Sequence, residues 1–245
     1  MIKIENLHKS FGDNHVLRGV NLDIPTGETI AVIGESGCGK SVLLKHIVGL
    51  LRPDEGRVVV DGEVVDELSR EELYELRKRF GFLFQGSALF DSMNVWENIT
   101  LGLRENGSYT QEELDRIVRE KLNLVGLRDI ESLKPSELSG GMKKRVGLAR
   151  ALAGDPDYIL YDEPTTGLDP VMSEQIDRLI AGLTRKLNVT SIVVTHDLFS
   201  VLSVAHSVAM LHDGKIEFHG SPEEFQHSDS PIIRNFLARY SRKAR

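Results

Sequence analysis

Residues 28–41 read ETIAVIGESGCGKS, a short apolar stretch that runs directly into a glycine-rich loop. The loop matches the pattern G-x-x-x-x-G-K-[ST], and residues 41–51 predict a helix behind it. Glycines at this spacing let successive backbone N–H groups turn inward around phosphate oxygens at the positive end of a helix. We therefore predict that the loop binds the phosphates of a nucleotide, with Lys40 at the β- and γ-phosphates and Ser41 on Mg²⁺.

The predicted phosphate contacts extend over the whole loop and one residue beyond it. Val42 leaves only its backbone N–H for the α-phosphate, where a side-chain hydroxyl could also have bonded. Cys38 has two interpretations, because a helix N-terminus can lower a thiol pKa and make it reactive, whereas a small residue is also simply tolerated in such a loop. The predicted contacts are Gly34, Glu35, Ser36, Gly37, Cys38, Gly39, Lys40, Ser41 and Val42.

A second candidate site is an apolar run that ends in two acids. Residues 158–164 read YILYDEP, which predicts a buried strand with Asp162 and Glu163 at its end. Beside a phosphate loop, Asp162 is placed to hold Mg²⁺ and Glu163 to polarise the attacking water. The sequence has no [NT]-K-x-D string, which would discriminate guanine, so we expect ATP rather than GTP.

A second anion site is predicted at residues 138–142, which read LSGGM and precede the helical pattern KKRVGLARAL. Ser139 and the N–H groups of Gly140 and Gly141 would lie at a helix N-terminus, where anions are stabilised. Taken alone, this pentapeptide is more typical of an ordinary Ser/Gly helix cap than of an anion site.

The whole chain has 245 residues, a net charge of -7 and one cysteine. An acidic balance argues against a dedicated nucleic-acid binder, and a single cysteine excludes an internal disulfide and fits a reducing compartment. No apolar run resembles a signal peptide or is long enough to span a bilayer. We expect a cytosolic chain whose membrane role, if any, comes through a partner.

Strand and helix patterns alternate over most of the chain, which predicts a mostly parallel α/β sheet. Residues 86–155 break this rhythm and predict an all-helical insertion, and Ser69 and Thr110 begin capping boxes. Predicted hairpins turn at residues 12–14, 61–62 and 213–214; further strands are predicted at 158–162 and 190–195, and further helices from Asp169 and Asp197.

This set of motifs, in this order, resembles the ABC ATPase family over nearly the whole chain. The resemblance implies a P-loop fold with a RecA-like core, an N-terminal antiparallel β-subdomain and an inserted α-helical subdomain. It implies a single domain over residues 1–245, with core and β-subdomain at 1–85 and 156–225, the helical subdomain at 86–155 and a helical tail at 226–245. It also implies a head-to-tail homodimer, in which the LSGG segment of one copy closes on the ATP of the other.

The resemblance assigns roles to five further residues. Phe11 looks like the aromatic residue that stacks on adenine, with Val16 beside it, and Gln85 looks like the glutamine that contacts Mg²⁺ and the water. Asp169 resembles the residue that couples the two sites, and His196 resembles the switch histidine at the γ-phosphate. Without the resemblance, Gln85 would be a solvated strand end, and His196 a helix-capping or core histidine.

Two positions depart from the commoner family residues. Met142 stands where Gln is commoner and Phe11 where Tyr is commoner. Neither change removes a phosphate donor, so we expect activity to survive, with an effect on nucleotide affinity or coupling.

The sequences of several segments are most similar to those of the ATPases of Mla/Mce-type phospholipid transporters, in which valine and methionine are usual at the positions of Val42 and Met142. That similarity implies phospholipid transport between membranes, with the chain held at the cytoplasmic face of the inner membrane by permease subunits and with accessory lipid-binding subunits. In this family the permease contacts residues 86–104, whose apolar side chains are otherwise core. The basic end, residues 234–245, is either a lipid or partner contact or a solvated helix.

Two other functions stay open at this point. One is the ATPase of a polar amino-acid or osmolyte importer, because the ATPase does not touch the cargo. The other is an ABC protein of DNA repair or translation, which would show a long coiled-coil insertion, tandem ATPase domains or a basic face, and the sequence has none of these.

Overall fold

The computed structural model describes the backbone of residues 1–241 and all of their side chains except those of residues 106, 240 and 241. The chain forms two compact units, one of Met1–Arg77 together with the chain from Thr190 onwards, the other of Lys78–Val189. Within residues 1–241 there is no helix of the length and apolarity needed to cross a membrane.

In chain order the strands are β1 (Ile2–Phe11), β2 (Asn14–Ile24), β3 (Thr29–Ile33), β4 (Glu55–Val60), β5 (Glu63–Val64), β6 (Phe80–Leu83), β7 (Tyr158–Asp162), β8 (Thr190–Val194), β9 (Ser207–His212) and β10 (Lys215–Gly220). The helices are α1 (Lys40–Ile47), α2 (Arg70–Lys78), α3 (Val95–Asn106), α4 (Gln111–Leu124), α5 (Gly140–Ala151), α6 (Pro170–Leu187), α7 (Leu198–Val204), α8 (Pro222–Gln226) and α9 (Pro231–Ser241). Short 3-10 turns lie at Val65–Glu67 and Pro135–Glu137.

The first unit contains an antiparallel sheet of order β2-β1-β4-β5. Apolar residues alternate along β1, and Ile2, Ile4 and Leu7 are buried, as expected of a sheet with one face on the core. The predicted hairpin is confirmed, because β1 pairs with β2 antiparallel and Phe11 faces Asn14 across the turn.

The same unit contains a second group of strands with parallel pairing at its centre. Strand β3 pairs parallel with both β8 and β9, and β10 returns antiparallel on β9. All five residues of β3 are buried, as expected of a parallel strand covered on both faces. Because Val32 faces Val194 in register, the residues that follow β3 and β8 leave the sheet at the same edge.

One face of these strands packs against the C-terminal helices. The buried side chains of Phe225, Ile233 and Phe236 join Ile33 and Met210 in a single apolar cluster. Burying apolar surface contributes roughly 25 cal/mol per Å², so this cluster ties α8 and α9 to the strand that leads into the phosphate loop.

The second unit pairs β6 with β7 in parallel, Phe80 facing Tyr158 and Leu83 facing Tyr161. Between them the described chain forms α3, α4, α5 and one 3-10 turn, without a strand, which confirms the predicted helical stretch. Since β6 and β7 pair with each other, they belong to the same compact unit as the helices. The predicted subdomain boundaries near 85 and 155 stay a prediction, and residues 242–245 of the predicted tail lie outside the described residues.

Two predicted helix limits differ in the structure. Helix α1 ends at Ile47 instead of residue 51, because Gly49 adopts a left-handed φ of 64° and the N–H of Leu50 turns back to the carbonyl of Lys45 at 2.8 Å. Strand β8 ends at Val194, one residue before the predicted limit.

Both predicted capping boxes are present. The N–H of Glu72 donates to the Ser69 hydroxyl at 3.2 Å, and the Ser69 N–H donates to the Glu72 carboxylate at 2.8 Å. Thr110 and Glu113 make the equivalent pair of bonds before α4. In each box the backbone N–H bond holds the glutamate pKa below its usual value.

An asparagine that the sequence did not single out organises the start of α3. Asn98 is fully buried, and its amide oxygen accepts from the N–H of Phe90 at 2.8 Å. Its amide nitrogen donates to the carbonyls of Phe90, Met93 and Asn94 at 3.2, 3.1 and 2.9 Å. One side chain thus satisfies the backbone of the turn that precedes the helix.

We predict that Asn98→Ala lowers the free energy of unfolding by about 2–4 kcal/mol, because it removes a fully buried amide whose hydrogen bonds hold the turn before α3. Urea denaturation followed by circular dichroism measures the change. Asn123→Ala, at an exposed amide that accepts only from Arg128 in the second unit, serves as the control and is expected to stay near the wild-type value. Equal stability of both variants would contradict the role given to Asn98.

Candidate functional site

The phosphate loop adopts the backbone that its glycines were predicted to allow. Gly34, Gly37 and Gly39 have φ values of 151°, 82° and 107°. A Cβ atom at Gly34 would lie 2.3 Å from the carbonyl oxygen of Leu211, and one at Gly39 would lie 2.9 Å from Cγ1 of Val16. Larger residues are therefore excluded at Gly34 and Gly39 both by backbone conformation and by space.

The lysine of the loop lies inside the curve of the loop itself. Lys40 begins α1, is 8% exposed, and its Nζ donates to the carbonyls of Gly34 at 2.8 Å and Glu35 at 2.9 Å. Its charge is satisfied by carbonyl dipoles, so the loop combines an ammonium group with a helix N-terminus and can hold a multiply charged anion.

The other loop residues are open to ligand. Glu35, Ser36, Gly37 and Ser41 are exposed at the mouth of the loop, and Val42 is half-buried in the first turn of α1. The first turn of α1 contains no acidic residue that would repel an anion.

Cys38 is half-buried beside Lys40, with 3.8 Å between Sγ and Nζ. Burial raises the pKa of its thiol, and the neighbouring ammonium only partly opposes this effect. The thiol form is therefore favoured, which supports the interpretation of Cys38 as a small loop residue over that of a reactive one.

The predicted adenine contacts lie on the β1–β2 hairpin. Phe11, at the end of β1, is 48% exposed, and the Nζ of Lys9 lies 5.8 Å from the centre of its ring. Val16 is half-buried on β2, next to the position of Gly39. The exposed ring of Phe11 lies on the same hairpin as Val16, which contacts the phosphate loop, and such a ring is a suitable platform for a base.

His196 lies two residues after the end of β8, and Gly34, the first residue of the phosphate loop, directly follows β3. The N–H of Thr195 donates to the carbonyl of Val32 at 3.3 Å, which extends the parallel register to the strand ends. The structure thus brings His196 and the phosphate loop to the same edge of the first unit, and His196 itself is half-buried there.

In the second unit, Gln85 and Glu163 occupy equivalent places after two paired strands. Leu83 faces Tyr161, so both residues follow the pairing by two positions. Asp162 ends β7 and is half-buried, while Gln85 is exposed. Parallel strands present their carboxyl ends at one edge, so this unit carries the predicted carboxylates and the glutamine together.

Glu163 is held in an uncommon conformation. Its φ of 50° lies in the left-handed region, which is costly for a residue with a Cβ. The hydroxyl of Thr166 donates to Oε2 of Glu163 at 3.1 Å and fixes one carboxylate oxygen. Strain of this kind is typical of a residue kept in place for function.

The signature segment forms the N-terminus of α5. The hydroxyl of Ser139 accepts from the N–H of Met142 at 3.3 Å, so Ser139 is the N-cap. Ser139 and Gly140 are exposed, whereas Gly141 is buried and a Cβ there would lie 2.0 Å from Cε of Met172. The cap and the anion-site interpretations are compatible, since Ser139 and Gly140 are exposed while the Ser139 hydroxyl caps the helix.

Asp169 is the N-cap of α6, as predicted. Its Oδ1 accepts from the N–H groups of Val171 and Met172, both at 3.0 Å. The side chain is exposed, so a contact with a second molecule remains sterically open.

The apolar stretch at 86–104 divides between core and surface. Val95 is buried, and Trp96 donates its Nε1–H to Asp115 at 2.8 Å. Phe90 is 49% exposed. Just before the stretch, Phe84 is 45% exposed, and its ring stacks on that of Phe82 at a centroid distance of 4.2 Å. The exposed ring of Phe90 contradicts the interpretation that all of these apolar side chains are core, and the permease contact stays a prediction.

The basic C-terminal segment is partly paired within the described residues. Arg234 forms an ion pair with Asp229, and Arg239 forms one with Glu35 of the phosphate loop. The remaining basic residues of this segment belong to residues 242–245, outside the described part of the chain.

The sequence analysis missed a buried lysine beside Gln85 and Glu163 in the second unit. Lys144, on α5, is 5% exposed and its Nζ donates to the carbonyls of Gln85 and, at 3.3 Å, of Glu163. Burial lowers its pKa, against the opposing effect of the Glu163 and Asp162 carboxylates. The string KKR after LSGGM signalled basic residues, but it did not indicate which of them points inward.

Comparison with known proteins agrees with these features. Residues 17–166, more than half of the chain, match the model of the family described as "ABC transporter". The chain is 45% identical over 236 residues to the "Probable ribonucleotide transport ATP-binding protein mkl" of Mycobacterium leprae, with 96% of the chain and 68% of that protein covered. It is 43% identical over 237 residues to the "Intermembrane phospholipid transport system ATP-binding protein MlaF" of Haemophilus influenzae, covering 97% of the chain and 90% of that protein.

Solved structures show the same fold. The ATP-binding cassette MJ0796, described as a dimer in a post-hydrolysis state bound to ADP and Pi, has a TM-score of 0.82 and 35% identity, covering 91% of this chain and 99% of that one. CbiO1 of Clostridium perfringens, part of the ABC transporter complex CbiONQ, has a TM-score of 0.86 and 31% identity, covering 99% and 96%. The predicted α/β P-loop fold is confirmed, and the chain belongs to the ABC transporter family as an ATP-binding and ATP-hydrolysing cassette.

Proposed function

We propose that this chain hydrolyses ATP to energise the transport of phospholipid between membranes. The relatives named as ATP-binding proteins of an intermembrane phospholipid transport system, MlaF, support this cargo. The match to the Haemophilus influenzae protein covers 97% of the chain and 90% of that protein. The similarity of the segments around Val42 and Met142 to Mla/Mce-type ATPases points the same way. The relatives named mkl favour a second candidate, ribonucleotide transport, although the chain spans only about two thirds of their length.

The nucleotide site is proposed from one observation above all, the inward-curved loop of the first unit. Gly34, Gly37 and Gly39 curve the backbone, and Lys40 lies within the curve. In the proposed site these groups and the backbone of Ser36, Cys38 and Val42 bind the phosphates, while Phe11 and Val16 contact adenine. The exposed carboxylate of Glu35 lies at the rim.

The hydrolytic step is proposed for Glu163, which accepts a proton from the attacking water. The strained backbone and the Thr166 bond support this role, because they hold one carboxylate oxygen and leave the group preorganised. His196 is proposed to contact the γ-phosphate, and Gln85 to orient the water.

The residues proposed for Mg²⁺ supply only oxygen donors: the Ser41 hydroxyl, the Gln85 amide and the Asp162 carboxylate. Mg²⁺ prefers such oxygen ligands, and Ser41 and Gln85 are exposed to receive it. When bound, Mg²⁺ neutralises charge on the β- and γ-phosphate oxygens.

The proposed partners are a second copy of the chain and the permease subunits of a transporter. The exposed Ser139 and Gly140 at the N-terminus of α5, together with the buried Gly141 beside them, would complete the ATP site of the second copy, and Asp169 would couple the two sites. The exposed ring of Phe90 supports a permease contact at 86–104, and the exposed ring of Phe84 lies two residues before this segment. The chain would then lie at the cytoplasmic face of the inner membrane, held there by the permease and accessory subunits.

We predict that Glu163→Gln reduces the ATP hydrolysis rate by roughly 100-fold or more, because the amide cannot take the proton of the water. ATP binding is retained, so the variant is expected to accumulate as an ATP-bound dimer in size-exclusion chromatography with light scattering. Wild-type turnover in Glu163→Gln would refute the role of Glu163. Full-rate hydrolysis by a strictly monomeric wild-type chain would refute the shared site.

We predict that Lys40→Ala weakens ATP binding by roughly 10- to 100-fold, the loss expected for a charge-assisted hydrogen bond to phosphate. Titration with a fluorescent ATP analogue measures the dissociation constant. Lys45→Ala is the matched control, since Lys45 lies in the last turn of the same helix and is exposed. Equal affinities in the two variants would show that the loop does not bind phosphate through Lys40.

We predict that the tagged chain, purified in mild detergent from its native membranes, retains permease subunits and phospholipid. Mass spectrometry of the bound proteins and of extracted small molecules identifies both, and Phe90→Glu is expected to lose the permease. Enrichment of ribonucleotides without phospholipid would support the second candidate instead.

A further inference from the structure

Lys144 is placed where one side chain reaches both catalytic strand ends of the second unit. It lies on α5 with 5% of its surface exposed, and its Nζ donates to the carbonyl of Gln85 and, at 3.3 Å, to that of Glu163. These two residues follow β6 and β7, so the lysine bridges the two strand ends through their backbone carbonyls.

A buried ammonium group is expensive unless it is fully bonded, so its position needs a compensating contact. Here two of the three N–H donors go to backbone carbonyls, and the carboxylates of Asp162 and Glu163 stabilise the charge. A side chain held this way has little freedom to move independently of the two carbonyls. A displacement of α5 would therefore also move the backbone of Gln85 and Glu163.

The same helix holds the segment after Gln85 at two further points. A Cβ at Gly147 would lie 2.9 Å from Cδ1 of Leu83 and 3.2 Å from Cβ of Ser87, so the helix and this segment are in close contact. Arg150 donates to the carbonyls of Ser87 and Ala88, both at 2.7 Å. Ser87 and Ala88 have φ values of 61° and 44°, a conformation that these bonds help to maintain.

We propose that Lys144 is a positioning residue that fixes Gln85 and Glu163 relative to the N-terminus of α5. This inference rests on the proposed function, in which Ser139 at the start of α5 contacts the ATP of the second copy. Occupancy of that neighbouring site would then set the geometry of Glu163 in the chain's own site. The two sites would be linked through one helix, α5, from its N-cap Ser139 to the ammonium group of Lys144.

The test compares Lys144→Met with Lys144→Gln and with a control at an equally buried lysine. Methionine keeps the volume but has no donor, whereas glutamine keeps N–H donors without the charge and is one bond shorter. Lys121→Met is the control, because Lys121 is 3% exposed in the same unit but pairs with Asp155 and Glu120. Steady-state hydrolysis gives kcat, KM for ATP and the Hill coefficient, and thermal denaturation reports folding.

We expect Lys144→Met to lower kcat by roughly 30- to 100-fold with KM changed less than about twofold, since misplacement of a catalytic group by about 1 Å has an effect of this size. The Hill coefficient for ATP is expected to fall towards one. Lys144→Gln should recover part of kcat, and Lys121→Met should lower thermal stability while keeping the wild-type kcat.

A wild-type kcat in folded Lys144→Met would overturn the proposal, and so would an equal loss in Lys144→Met and Lys121→Met. If Lys144→Met does not fold, Lys144→Gln decides by the same comparison. A fall in kcat with an unchanged Hill coefficient would overturn the link between the two sites. Absence of hydrolysis in the wild type would instead count against the proposed function, which separates the two failures.

Discussion

The parallel register of paired strands is the constraint on which the rest of this chain depends. In the first unit, Val32 faces Val194, and the loops that follow carry the phosphate loop and His196. In the second unit, Leu83 faces Tyr161, and the residues that follow are Gln85 and Glu163. Parallel strands end at one edge, so residues distant in sequence converge there without specific contacts between them. The chemistry of each unit is placed by backbone pairing before any functional side chain is considered.

Two buried lysines then stabilise these edges in the same way. Lys40 in the first unit and Lys144 in the second are 8% and 5% exposed, and both donate to backbone carbonyls. For Lys40, carbonyl dipoles leave the charge available to a phosphate group, whereas a bonded carboxylate would compete with phosphate. The charge of Lys144 is stabilised in addition by the Glu163 and Asp162 carboxylates. Lys40 is thereby positioned for the nucleotide itself, and Lys144 for the backbone that presents Glu163.

The departures from commoner family residues leave the backbone donors of this site in place. Phe11 keeps an exposed ring at the end of β1, and Met142 offers its backbone N–H to the Ser139 hydroxyl. Cys38 lies half-buried beside Lys40, where burial raises its thiol pKa. Each of these residues therefore fits an active cassette, in agreement with the identity of 41–45% to the MlaF and mkl relatives.

The sequence by itself determined the elements whose cause is local. The hairpin before Asn14, the cap at Thr110 and the strand Tyr158–Asp162 follow from turn chemistry, capping and apolar runs, and each lies where predicted. Only the tertiary structure decided that Lys144, and not its neighbour Lys143, turns inward, and that the buried amide of Asn98 bonds the turn before α3. The physical reason for Lys144 is that its hydrogen-bond partners are the carbonyls of Gln85 and Glu163, which are 59 and 19 residues away in sequence. Residue spacing along one helix carries no record of those partners.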